Sequence, residues 1–389
     1  MKLLVLLSRV PYPLDKGDKL RAFNQIKQLS KKHQIILFAL NDTTLDETAL
    51  SELKKYCIAI SIIKFSWFTI FFNLLKTFFS GLPFQAGYFY FSKAQKKVDE
   101  LIKKHKPDHI YCQLIRTAEY VKSYSDIPKT LDYMDVFSKG MERRKYTDPF
   151  YMKPLLFLEH RRLLKYERKV FDYFNNKTII SEQDKNLINH PKSQQIRVVP
   201  NGVDTEYFKN ITHQKKFELL FNGNMNYPPN IESVEYLVSK VMPLVWKKLP
   251  NVRLLISGAS PHKRVVALKS NKVEVSGWVD DIRENFAKCK LLIAPMQISI
   301  GLQNKLLEAM AMQLPCITST LANNALGAKP GEQILVADTP EQYAAYIFEL
   351  LQDEEKAKRI ALNGYKYVTT NFNWQTTTAL LDSLFNKKQ

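Results

Sequence analysis

The 389-residue chain has no run of 18 uninterrupted apolar residues, so a membrane-spanning helix is not expected. It has only four cysteines, Cys57, Cys112, Cys289 and Cys316, and no C-x-x-C spacing among them. That excludes a disulfide framework and a thiolate zinc site. It suits a reducing cytoplasm in which each thiol serves as a small buried apolar group. No aromatic-basic module of the single-strand-binding kind occurs, so no nucleic-acid partner is expected. No D-x-D pair lies in a suitable loop, and Asp132 and Asp135 are too widely spaced, so no metal is expected. The apolar run Leu3–Leu7 is too short for the core of a secretion signal, and no small-residue cleavage site follows it. It reads as a first buried strand.

The chain is too long for one ordinary core, and its 45% apolar content is ample for buried sheets, so two domains are expected. The formal charge of +19 is uneven. Residues 1–200 carry 35 Lys and Arg against 20 Asp and Glu; residues 201–389 carry 22 against 18. Something anionic therefore faces the first half; the charge alone permits lipid headgroups, an anionic acceptor or nucleic acid, and the missing module speaks against the last.

Both halves alternate short apolar runs with helical stretches. In the first half "KLLVLLS", "QIILFAL", "HIYCQLI", "TLDYM" and "KTIIS" read as strands. "KLRAFNQIKQLSKK" reads as an amphipathic helix with Leu20, Phe23, Ile26 and Leu29 on one face. The pattern restarts with "FELLFNG", "VRLLISG", "VEVSGWV", "LLIAPM" and "CITS". Apolar strands separated by helices imply parallel sheets covered on both faces. The expected fold is α/β, with two doubly wound, Rossmann-like domains: 1–200 and 201–370. The segment 371–389 forms a closing helix on the first. Ligands of such sheets bind beyond the carboxyl ends of the strands, in the cleft between the domains.

Residues 64–91, "KFSWFTIFFNLLKTFFSGLPFQAGYFYF", are crowded with aromatics, interrupted by Asn73 and Lys76 and broken at Gly81-Leu82-Pro83. The segment fits a helix resting on an anionic membrane surface, aided by the basic half. It fits a buried core helix with a hydrophobic loop equally well. The basic stretch 158–174 belongs either to the same face or to a solvated helix.

The stretch "QISIGLQNKLLEAMAMQLPCITST" (297–320) carries the chemistry. A strand ends in a loop containing Gly301, and a helix begins near Gln303. Its first N–H groups lack partners and carry partial positive charge, which suits a diphosphate. Gly301 permits close backbone approach, Lys305 adds an ammonium, and Glu308 can accept both hydroxyls of a ribose. An ordinary loop and helix with a surface Glu is the bland alternative. Gly223, after the first strand of the second half, could let backbone near a phosphate. Backbone at Trp278 and Val279 could pair with a nucleobase edge.

"RVVPNGVDTEYF", "FNGNMNYPPNIESVEYL", "VEVSGWVDDIRENFAKCKLLIAPM" and "GLQNKLLEAMAMQLPCITST", in this order and spacing, resemble the retaining nucleotide-sugar glycosyltransferases of family four, with the GT-B fold. "SRVPYPLDKGDKLRAFNQIKQLSKKH" and "TLDYMDVFSKGMERR" resemble sugar transferases of bacterial exopolysaccharide assembly. The resemblance implies that Glu308 is the second acid of an E-x7-E signature and binds the donor ribose; the first falls at Ile300. It implies that Leu302 and Gln303 offer backbone N–H groups to the diphosphate and Lys305 its charge. The loop holding Asn224 lacks the cations usual in the family. Gly17, Asp18, Lys19 and Arg21 would approach the sugar and diphosphate from the other side. Asp132 stands where the family often has a His; Asp132 or Asp135 would hold a sugar hydroxyl or steer the acceptor, or else cap the next turn. Gln113 and Arg116 are lesser candidates. The implied activity is transfer of a sugar from a nucleotide-diphosphate donor, a substrate and not a cofactor, to a glycan or lipid-linked acceptor at the inner face of the plasma membrane. A sugar-nucleotide epimerase and a non-catalytic module binding anionic lipid or polysaccharide are the alternatives.

Overall fold

The computed structural model describes the chain except residues 43, 46, 148, 299, 300 and 386–389, and backbone alone at 143 and 145–147. Ile300, and with it the first acid position of the E-x7-E pattern, lies outside the described residues. The chain divides into two compact units, Met1–Pro200 with the segment from Thr377 onward, and Asn201–Thr376.

The first unit is built on a seven-stranded parallel sheet: β1 (Lys2–Leu7), β2 (Gln34–Asn41), β3 (Cys57–Lys64), β4 (His109–Gln113), β5 (Lys129–Asp132), β6 (Asn176–Ile179) and β7 (Arg197–Val198), in the order β3-β2-β1-β4-β5-β6-β7. Strand β1 is central, and its side chains alternate between two cores. Leu4 and Leu6 meet Ile36, Phe38 and Leu40. Leu3, Val5 and Leu7 meet Ile35, Leu37 and the closing-helix residues Leu381 and Phe385. Burial on both faces is why the strand reads as an unbroken apolar run. The helix Trp374–Phe385 also places Asp382 beside Lys32 and His33, at 3.0 and 2.7 Å.

The second unit holds six parallel strands, β8 (Phe217–Asn222), β9 (Leu254–Ser257), β10 (Val273–Gly277), β11 (Cys289–Ala294), β12 (Cys316–Thr318) and β13 (Leu335–Val336), in the order β10-β9-β8-β11-β12-β13. The chain winds outward one way from β8 and then resumes at β11 on the other side. The carboxyl ends of β8 and β11 therefore flank the switch point, where loops diverge and leave a crevice. β3, β7 and β13 are additions to the strands expected from the sequence.

The helical stretch 228–248 is interrupted. Pro228–Tyr236 is α-helical, Leu237–Val241 is a π-turn, and Met242–Lys248 resumes the α-helix. Pro243 has no N–H and its ring clashes with the carbonyl four residues back, so the preceding turn widens. The aromatic segment forms a helix, Trp67–Ser80, capped by the Ser66 hydroxyl and ended by Gly81 at φ 76°. It is not a core helix: only Ile70 and Thr77 are buried.

Candidate functional site

The second unit gathers the phosphate-type features at its switch point. The helix Asn304–Ala311 follows β11, with Gln303 as its extended cap residue, whose own side chain does not cap the first turn. A helix start of this kind directs its first N–H groups toward an acceptor. Gly301 has φ 63°, a conformation that favours glycine, and turns the loop into the helix. Leu302 is buried, and the Gln303 amide reaches back to the Gly301 carbonyl at 3.3 Å.

Lys305 points inward. Its Nζ donates to Asn230 Oδ1 at 2.7 Å and sits 4.3 Å from the centre of the Phe221 ring, with Met296 Sδ at 3.7 Å. A side chain built on Gly223 would lie 3.3 Å from Nζ, so Gly223 and Lys305 are neighbours. Among the described residues, no carboxylate forms an ion pair with the ammonium. Burial lowers its pKa to about 7, only partly offset by the charge of Glu308. Glu308 lies one turn on, half-buried. Among the described residues no side chain donates a hydrogen bond to it. Burial raises its pKa to about 7 against the pull of Lys305. Among the described residues, the site thus holds an ammonium with no carboxylate bonded to it and a carboxyl with no side-chain donor, both pushed toward neutrality. Such groups mark functional sites more often than structural ones.

Asn230 and Met296 carry no sequence signal of their own. Asn230 follows two prolines, a pairing that reads as a turn. The prolines instead occupy the first positions of the helix Pro228–Tyr236, where a missing N–H costs nothing. Asn224 is exposed; its side chain accepts from the Asn226 N–H at 2.9 Å, and its carbonyl accepts from Asn230. Trp278 is exposed and, with Val279, follows β10 at the sheet edge. Three strand spacings, roughly 14 Å, separate β10 from β11.

In the first unit the structure corrects two assignments. Arg21 and Asp132 are fully buried. Arg21 Nε donates to Asp132 Oδ2 at 2.6 Å and Nη2 to the Val199 carbonyl at 2.8 Å. Tyr111 Oη and Thr178 Oγ1 complete the Asp132 carboxylate at 2.9 and 3.0 Å. With its lone pairs occupied and no exposed surface, Asp132 is not placed to hold a sugar or an acceptor. Arg21 is neither a donor contact nor a solvated helix residue. The pair braces β5 against the helix Gly17–Leu29. Asp135 is half-buried and accepts from the Val136 N–H at 2.7 Å, which caps the turn after β5.

Around the same strand ends, Asp18 pairs with Arg9 at 2.9 Å and Lys19 with Asp15 at 2.8 Å. Gln113 donates to the Asp18 carbonyl at 3.2 Å. A side chain at Gly17 would meet nothing, so the loop end is open there. Arg116 binds the Gln85 amide oxygen and lies 5.0 and 4.8 Å from the rings of Phe89 and Phe137. Burial, with Arg9 adding repulsion, lowers its pKa to about 10.

This architecture coincides with known ones over the full chain. Sucrose-phosphate synthase from Thermosynechococcus elongatus superposes with a TM-score of 0.71 at 14% identity, covering 99% of this chain and 98% of that one. The fold is GT-B. A second GT-B structure, Anabaena Alr3699/HepE in complex with UDP and glucose, gives a TM-score of 0.70 at 15% identity, with 99% of each chain covered. Residues 216–353, which contain the whole switch-point site, match the family described as Glycosyl transferases group 1. An uncharacterized 44.6 kDa protein in the cps region of Klebsiella pneumoniae is 23% identical over 400 aligned residues, with 96% of both chains covered.

Proposed function

We propose that this GT-B protein is a glycosyltransferase that moves a sugar from a nucleoside-diphosphate donor to a hydroxyl of a glycan or lipid-linked acceptor, with retention of configuration, in cell-surface polysaccharide synthesis. The observation that carries the reading is the grouping at the switch point: a helix start entered through Gly301, with buried Lys305 beneath it and, one turn on, Glu308, to which no described side chain donates. The group 1 match over these residues supports it. So do the UDP and glucose bound by the Anabaena GT-B protein and the cps-region relative.

In this reading the diphosphate accepts from the N–H groups of Leu302 and Gln303, beside Gly223 and Gly301. Lys305 supplies charge from below. Glu308 accepts the ribose hydroxyls, and the base lies toward Trp278 and Val279. As the bond from the anomeric carbon to the diphosphate lengthens, negative charge grows on the leaving phosphate. The helix start and Lys305 oppose that charge without reorganising, which lowers the barrier. The acceptor hydroxyl attacks on the face the diphosphate leaves and passes its proton to a phosphate oxygen. The basic first unit receives the acceptor. The reading requires no metal.

A panel of nucleotide sugars, assayed for nucleoside diphosphate release with and without glycan and lipid-linked acceptors, tests this. Acceptor-dependent release is expected, unaffected by a chelator. The Glu308→Ala variant should lose about ten- to a hundredfold in donor affinity, the scale of a hydrogen bond to a charged group. Unchanged donor binding in that variant would remove the proposed nucleoside site.

A further inference from the structure

The aromatic helix Trp67–Ser80 presents an unpartnered face. Trp67, Phe68, Phe71, Phe72, Phe78 and Phe79 are between 52% and 82% exposed, while Ile70 and Thr77 anchor the opposite face. The exposed positions recur at helical spacing, so they form one stripe along a rod roughly 21 Å long. Solitary exposed apolar side chains are ordinary, but a contiguous aromatic stripe of this kind marks an interaction surface.

A second element joins it. Arg162, on the helix Lys153–Phe171, donates to the carbonyls of Thr77 (3.2 Å), Phe78 (2.7 Å) and Leu82 (3.3 Å), at the end of the aromatic helix. Glu159, one turn earlier, accepts from the N–H groups of Phe84 and Gln85 at 2.7 and 2.9 Å. Gly87 passes so close to Thr77 that a side chain there would fall 1.8 Å from Thr77 Oγ1. The two helices are therefore clamped together. The second contributes exposed Leu155 and Phe157, and the short turn Phe150–Met152 that leads into it adds Phe150 and Tyr151.

Among the described residues, the exposed charges of these two helices have one sign. No Asp or Glu occurs between residues 64 and 91. The acids of the second helix, Glu159 and Glu167, are buried, the latter holding Ser138 through its N–H and hydroxyl. The exposed charges of the two helices are Lys76, Lys153, Arg161, Lys165, Arg168 and Lys169, with Lys64 just before the first. An all-cationic face repels a second copy of itself and attracts an anionic surface. Aromatic side chains flanked by lysine and arginine suit the headgroup layer of a bilayer. No described helix is long and apolar enough to cross a membrane, which leaves a face that lies on one.

We propose that this two-helix face docks the protein on the surface of an anionic lipid bilayer, with Trp67, Phe71, Phe72 and Phe79 entering the headgroup region. The inference goes beyond the sugar-transfer reading and does not depend on it, because docking needs neither donor nor acceptor. The test uses the full chain and protein-free vesicles of phosphatidylcholine, with and without phosphatidylglycerol. Flotation with the anionic vesicles is expected, weaker on phosphatidylcholine alone and weaker as salt rises. Trp67 emission should shift to the blue on binding, a change absent from the Trp67→Phe variant. Combining Phe71→Ser, Phe72→Ser and Phe79→Ser should weaken binding by about tenfold or more. These side chains are exposed, so the thermal transition should not fall. A chain that stays with the buffer, or that binds equally with and without the triple substitution, would overturn the proposal. So would a dimer in sedimentation velocity that the same substitutions dissolve, which would assign the face to a second copy.

Discussion

Lys305 and Glu308 are moved toward neutrality from opposite sides, to about 7 in both cases. A diphosphate favours the charged ammonium, so donor affinity should fall as pH rises above neutrality. Ribose hydroxyls favour the carboxylate, so affinity should also fall below it. Calorimetric donor titrations across this range should give a bell with its maximum near neutral pH. Lys305→Met should abolish the alkaline limb and Glu308→Gln the acid limb. Arg21 and Asp132 behave differently. Burial works against the Arg21 charge, but Asp132 and Tyr111 outweigh it and raise its pKa. Arg21→Met leaves a buried carboxylate unpaired and should cost about 3–5 kcal/mol in denaturant unfolding, whereas the double variant Arg21→Met, Asp132→Leu should cost less. Donor affinity per folded molecule should hold in both. The sequence could not show this pairing. A charged side chain is by default a surface one, and the partner that overrides the default lies 111 residues away. Glu308 could be singled out as a candidate because helix entry, glycine and acid are neighbours in the chain.

At the scale of elements, most strands were legible because parallel strands buried on both faces are continuous apolar runs. β3 was not, since it passes into the aromatic helix through Phe65 and Ser66 with no glycine or proline between them. β7 and β13 are two-residue strands, too short to carry a period. The ends of β8 and β9 meet more closely than side chains allow: a Cβ on Gly258 would lie 1.6 Å from the Gly223 carbonyl oxygen. Neither backbone has a flexible side chain to yield, so Gly258→Ala must part the two strand ends. The expected cost is about 1–3 kcal/mol or more by thermal or denaturant unfolding. Because Gly223 adjoins Lys305, weaker donor binding should accompany it.

For the whole molecule, charge and connectivity are the governing features. The closing helix is held partly by Asp382. Burial pushes its pKa up, but hydrogen bonds from His33 and Lys32 win and leave it below the ordinary value. A depressed carboxylate contributes stability that is present above its unfolded pKa, near 3.9, and lost as pH falls through the folded value. Asp382→Asn should therefore lower the thermal midpoint at neutral pH, and the gap from the parent should close in acid.

The route of the chain has a further consequence. The first unit is opened by residues 1–200 and completed only by those from Thr377 onward. During synthesis the sheet around β1 therefore waits, one flank uncovered, while the entire second unit is made. That unit is continuous in sequence and has every residue of its own to hand. The portion translated second is the one that can reach its final state first, and the opening residues, although oldest, are the last to settle.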